Sequence, residues 1–214
     1  RNKRTSPRRI AQTIMMNIQK ELQQFSVGEA DLHFNNVDIA LETIRAIMIN
    51  EVVPSCPEED FYGKPDSAYM STTIQLFRKA GIEVNSALDI LDRGIYITNA
   101  VKKPKTEYAV SKESIEESLP YLEREIALFP NVKVIILMGD VAKKAFNMIC
   151  KKATKKNAVP SVSTYKLRNI EIVYNGIRIL PSYIMTGQNI LIEKSKFEMA
   201  SEDIATMYRL IKEY

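Results

Sequence analysis

The run "VKVIILMG", from Val132 to Gly139, constrains the fold more than any other stretch. Apart from Lys133 it is continuously apolar up to Met138. A strand with one wet face alternates apolar and polar residues, whereas a continuous run needs cover on both faces. Helices on both sides of a mostly parallel sheet give that cover. The flanking sequence fits this frame. "TIRAIMINEVVP" predicts a buried strand at about Arg45–Glu51, and "GIYITNA" a second at Ile95–Asn99. "IEIVYNGIRILPSYI" reads as a hairpin turning at Asn175-Gly176. The expected fold is a single-domain three-layer α/β/α arrangement around about four strands.

Helical periodicity fills the gaps between strands. "SAYMSTTIQLFRKAG" places Tyr69, Thr73, Leu76, Phe77 and Ala80 on one side, with Gly81 as its stop. "SKESIEESLPYLEREIALFP" carries an apolar stripe of Ile115, Leu119, Leu122, Ile126 and Phe129. "DVAKKAFNMICKKA" reads as a helix with Asp140 as N-cap. The stretch Thr154–Lys166 reads as a flexible loop, and "SKFEMASEDIATMYRLIKEY" as a closing amphipathic helix. At the other end, Ile10, Ile14, Ile18, Leu22 and Phe25 predict a surface helix starting near Ser6-Pro7. Residues 1–30 are therefore expected to form a basic arm and helix, and residues 31–214 the α/β domain.

Charge and composition narrow the chemistry. The formal net charge is +4 and the pI near 8.9, which suits an anionic partner such as nucleic acid. Cys56 and Cys150 are isolated, so no zinc or iron–sulfur spacing exists. Two free thiols and no apolar run long enough to span a bilayer imply a reducing, cytoplasmic setting. His33 is the one histidine, which disfavours a catalytic triad or a multi-histidine metal site. There is no GxGxxG and no P-loop pattern, so no nucleotide cofactor and no metal are expected.

Ligands of a parallel sheet bind at the carboxyl ends of its strands. Those ends fall at Glu51–Pro54, Asn99–Lys105, Gly139-Asp140 and Pro181–Asn189. In that order and spacing, the segments "NEVVP", "IYITNAVK", "SIEESLPYLEREIALFPNVKVIILMGDVAKKAF" and "PSY" resemble the uracil-DNA glycosylase superfamily. The nearest pattern is its bacterial and archaeal branch, which in its usual form carries an iron–sulfur cluster. The resemblance covers about Ile44 to Ile211.

The resemblance implies a site. Its first motif resembles Gly-Glu-Ala-Pro-Gly. Glu51 takes the acidic position, as general base or electrostatic stabiliser, and Asn50 stands where Gly is usual. Tyr69 falls at the aromatic that stacks on a flipped base, with Phe61 and Tyr62 as neighbouring candidates. Asn99 matches the amide that reads uracil, because an amide can pair with O4 and N3–H together. Each has a structural alternative: a salt-bridged strand-end carboxylate, a core aromatic and a capping amide. Lys102, Lys103 and Lys105 would neutralise DNA phosphates beside Asn99, and Ser182, Thr186 and Gln188 would grip the backbone from the last loop. A second lysine-rich cluster runs from Lys143 to Arg168.

Two departures accompany the matches. Lys102-Lys103 follows where the branch places a cluster cysteine, so the cluster is expected to be absent. The final motif, His-Pro-Ser in the family, is replaced by Ile184, Met185 and Thr186. Loss of a donor to the leaving base costs on the order of a hundredfold or more in rate. Met185 or Ile184 serves either as a wedge between bases or, for Met185, as core packing. Excision of uracil or a related base from DNA is the leading expectation. A non-catalytic nucleic-acid binding member and a small-nucleotide hydrolase are the alternatives.

Overall fold

The computed structural model describes residues 13–25, 31–106 and 109–213. In chain order the elements are β1 (Met16–Asn17), α1 (Ile18–Gln23), β2 (Asp38–Ile39), β3 (Ala46–Val52), α2 (Ala68–Lys79) and α3 (Ala87–Asp92). Then follow β4 (Ile95–Val101), α4 (Lys112–Ala127), β5 (Val134–Met138) and α5 (Asp140–Thr154). The last are α6 (Thr164–Leu167), β6 (Ile172–Tyr174), β7 (Ile177–Ser182), α7 (Asn189–Ile192) and α8 (Lys194–Lys212).

The central sheet has five strands in the order β4-β3-β5-β7-β6. The first four run parallel and β6 pairs antiparallel with β7. The expected hairpin is present, with Asn175 and Gly176 both at positive φ, as a tight turn between twisted strands requires. Its outer strand makes the sheet one strand wider than expected.

Alternate residues on each strand feed two cores. Ile47, Ile49, Tyr96, Ile135 and Leu137 meet α1, α4 and α5 on one face. Ala46, Met48, Ile97, Ile136 and Met138 meet α2 and α8 on the other. β5 is buried along its whole length, as the continuous apolar run requires.

The outer edge of β4 is covered by side chains. The Ile97 N–H donates to the Tyr62 hydroxyl at 3.0 Å, and the Ile97 carbonyl accepts from Asn35 Nδ2 at 3.2 Å. Both ladder positions of that residue are thus satisfied without a sixth strand.

Three local expectations change. The N-terminal helix begins at Ile18, because Met16-Asn17 pairs with Asp38-Ile39 and the Asn17 side chain caps the Lys20 N–H at 3.0 Å. Ile18 and Leu22 are buried there, while Ile14 is exposed; Ile10 and Ser6-Pro7 lie outside the described residues. Asp140 is the first residue of α5, and Gly139 occupies the cap position. The stretch Thr154–Lys166 is pinned at Val159, whose N–H and carbonyl both bond the Asn147 amide, at 2.8 and 2.9 Å, and it ends in α6.

Candidate functional site

The carboxyl ends of β3, β4, β5 and β7 lie side by side, and the candidate residues sit along that edge. Glu51 and Asn50 are consecutive on β3, so they leave the sheet on opposite faces. Glu51 points towards α5, where its Oε2 accepts the Val141 N–H at 2.7 Å. This is the first turn of the helix, whose unpaired N–H groups favour a carboxylate. Gly139 makes room for it. A Cβ on Gly139 would stand 2.7 Å from the Glu51 carboxylate carbon, and its φ of +113° is one that side chains avoid. Burial raises the Glu51 carboxyl above its ordinary value, and the Val141 hydrogen bond opposes that rise. The charges of Asp140, Lys105 and Lys143 act on it more weakly.

On the opposite face, Asn50 and Asn99 are register partners on β3 and β4. Both are fully buried, which obliges every polar atom to find a partner. Asn50 Nδ2 donates to Asn99 Oδ1 at 2.8 Å. Asn99 Nδ2 donates to both oxygens of Asp60, at 2.9 and 3.0 Å. Two oxygens of one carboxylate lie too close together to take both N–H bonds of one NH2 group, which diverge, so a single N–H is shared between them. Among the described residues, Asn99 thus has two of its four hydrogen-bond positions committed, one as acceptor and one as donor. The Thr186 hydroxyl donates to Asn50 Oδ1 at 3.4 Å. His33 Nε2 stands 3.7 Å from Asp60 Oδ2. Burial raises the Asp60 carboxyl and lowers the His33 imidazole, while the pair's mutual attraction opposes both shifts.

Tyr69 lies between these halves. Its hydroxyl donates to the Val52 carbonyl at 2.9 Å, and its ring is half-buried against Phe61 with centroids 5.3 Å apart. Burial pushes the phenol up to about 12, with the Asp60 and Glu51 carboxylates adding to the shift. Tyr69 is therefore within electrostatic reach of both.

Several expected site residues are placed elsewhere. Phe61 is buried in the α2 core and has no free face. Tyr62 is held at the β4 edge and stacks on Tyr96 at 5.9 Å. Lys102 is 2% exposed: its ammonium pairs with Glu125 at 2.6 Å and Thr98 Oγ1 at 2.8 Å, so it faces inward rather than towards phosphate. Ser182 is buried and donates to Asp203 at 2.5 Å, and Arg168 closes the same cluster. Met185 is buried in the α2/α8 core, which removes it as a wedge, while its carbonyl accepts from Thr72 at 3.0 Å. Ile184 remains partly exposed.

Lys105 and Gln188 are exposed and Lys103 half-buried. Lys103 and Lys105 line a cleft of about 270 Å³ with Val52, Val101 and Ser111, beside the β3 and β4 ends. An iron–sulfur cluster does not fit this chain: Cys150 is buried within α5, Cys56 is exposed in the loop after β3, and the described residues hold no metal-ligating group.

Asp60 is the residue that sequence reasoning missed. It ends an acidic run, "EED", and nothing in the sequence marks it as the one turned inward.

The fold is an α/β sheet whose carboxyl edge gathers Glu51, Asn50, Asn99 and Tyr69. The model of the uracil DNA glycosylase superfamily matches residues 48–198, and the chain belongs to that superfamily. Membership supports a glycosylase-like function in general terms. No curated protein sequence matches the chain. No described helix is long and apolar enough to cross a membrane.

Proposed function

We propose that the chain acts in DNA repair. It takes a uracil-like base out of the DNA stack and hydrolyses its N-glycosidic bond. The observation that supports this is the buried Asn99 amide, fixed by Asn50 and Asp60 with one donor and one acceptor position uncommitted. That pair of functions is what the O4 and N3–H edge of uracil requires. Tyr69 offers a half-exposed ring for the base. Glu51 orients a water and takes its proton, the water oxygen bonds to C1′ as the C1′–N bond breaks, and the base leaves with the bonding electrons and is then protonated. Lys103, Lys105 and Gln188 hold the sugar–phosphate backbone, while Thr186, placed in that role by the sequence, is buried and donates to Asn50 instead. The isolated cysteines fit a reducing, cytoplasmic setting.

The test is a uracil-containing oligonucleotide, single- and double-stranded, incubated with excess protein and then cleaved by alkali. Abasic product that forms roughly a hundredfold more slowly in Glu51→Gln is the expected result. No product at long times sinks the enzymatic reading.

A second reading, binding without base release, draws on two observations. Glu51 and Asn99 leave the sheet on opposite faces, and Ile184 takes the place of the family histidine. It predicts salt-sensitive binding of the same oligonucleotide with no abasic product.

A further inference from the structure

The hydrogen bonds around Asn99 form a directed chain. The Thr186 hydroxyl donates to Asn50, the Asn50 amide donates to Asn99, and the Asn99 amide donates to Asp60. These residues come from four places: the loop after β7, β3, β4 and the turn before α2. An amide can be turned end for end, but an ionised carboxylate only accepts. One anion at the end therefore fixes the sense of every link. Asn50 and Thr186 are also positions where this chain departs from the superfamily pattern, having Asn for Gly and Thr for Ser.

We propose that Asp60, acting through Asn99 and backed by Asn50 and Thr186, is the positioning residue that sets which base edge the site accepts. The inference rests on Asn99 reading the base. With Nδ2 turned to Asp60 and Oδ1 to Asn50, the amide carries its remaining donor and acceptor in one order only. Uracil presents an acceptor at O4 and a donor at N3; cytosine presents the reverse, a donor at N4 and an acceptor at N3. One orientation of Asn99 serves one of them. The Phe61 N–H, which donates to Asp60 Oδ1 at 2.9 Å, and the nearby His33 keep the carboxylate in place.

The test is a charge-conserving swap, Asp60→Asn with Asn50→Asp. It moves the anion to the other side of Asn99, where it accepts from Nδ2 and turns the amide over. Binding of two single-stranded oligonucleotides, identical but for one central deoxyuridine or deoxycytidine, is measured by fluorescence anisotropy. The unmodified protein is expected to prefer deoxyuridine by roughly tenfold, the scale of one well-made base contact. The swap is expected to reverse the order. A folded swap variant that keeps the original preference overturns the proposal.

A second measurement needs no variant. In the unmodified protein, 1H–15N spectra are expected to show the Asn99 side-chain N–H that Asp60 holds protected from solvent exchange. An unprotected group overturns the fixed orientation itself. Equal binding of the two oligonucleotides with the group still protected overturns base reading by Asn99, and with it the specificity role of Asp60, separately from the fixed orientation.

Discussion

Two polar clusters lie buried near the carboxyl half of β4, one on each face. On the α4 face, Lys102, Glu125, Thr98, Tyr96 and Asn35 form a closed set. Glu125 accepts from Lys102, Tyr96 and Thr98 within 2.8 Å, and Tyr96 in turn accepts from Asn35 at 2.9 Å. On the α2 face, Asp60, Asn99, Asn50 and Thr186 form an open chain that leaves Asn99 half committed. Both are buried, and both contain an ionisable group. The difference is spare capacity. A cluster that satisfies itself holds the fold together, whereas the donor and acceptor left over at Asn99 are what the proposed base-reading role draws on.

The largest effect that separates the two is expected at Lys102. Lys102→Met strands the Glu125 carboxylate in the core, which costs about 3–5 kcal/mol of stability. Urea denaturation measures it, and a loss under 1 kcal/mol would break the assignment of the α4 cluster as structural.

The next largest lies at Glu51. Glu51→Gln is expected to slow base release by roughly a hundredfold, the scale of a lost general base. The same variant tests the titration. Because burial raises the Glu51 carboxyl in the folded state, the folded protein binds its proton more tightly than the unfolded chain does. Its contribution to stability is complete below its ordinary value of 4.5 and is lost as pH rises through the raised one. Urea midpoints measured upward from pH 4.5 should therefore fall more for the unmodified protein than for Glu51→Gln. Parallel curves would show that Glu51 is not held as described.

Gly139→Ala sharpens the same half. The new Cβ meets the Glu51 carboxylate and the φ of +113° strains any side chain, so a destabilisation of about 1–3 kcal/mol is expected together with lost base release. Intact activity would mean that the carboxylate position is immaterial.

A smaller effect is expected at the rim. Lys103→Ala with Lys105→Ala should lower the salt dependence of single-strand DNA binding by about 1–2 in the log–log slope. Loss of activity on oligonucleotides with none on a small nucleotide would point the same way. Tyr69→Phe is the mildest change, removing one hydrogen bond to Val52 for about 1 kcal/mol.

Much of the fold was legible in the sequence because it rests on local rules. The continuous run at Val132–Met138 demanded cover on both faces, and Asn175-Gly176 demanded a tight turn. The apolar stripes read over 69–80 and 115–129 are present on α2 and α4. The N-terminal helix misled, because its spacing suited a helix while the partner that claimed Met16-Asn17 lay at Asp38-Ile39, far along the chain. The candidate site was legible only in position. Glu51, Tyr69 and Asn99 stand at strand ends or beside them, as the motif order implied. Lys102 was misread because charge in a sequence says nothing about which way a side chain turns.

By itself, the sequence determined the layering of this protein, the main strand–helix alternation of its central sheet and the edge on which the candidate residues lie, since periodicity and turn chemistry act over a few residues. Only the tertiary structure decided which polar residues close on themselves and which remain open. That Asp60 meets Asn99 across 39 positions, and Asn50 meets Thr186 across 136, follows from sheet register and loop return, which no local pattern encodes. The buried carboxylate then sets the direction of every hydrogen bond that ends on it.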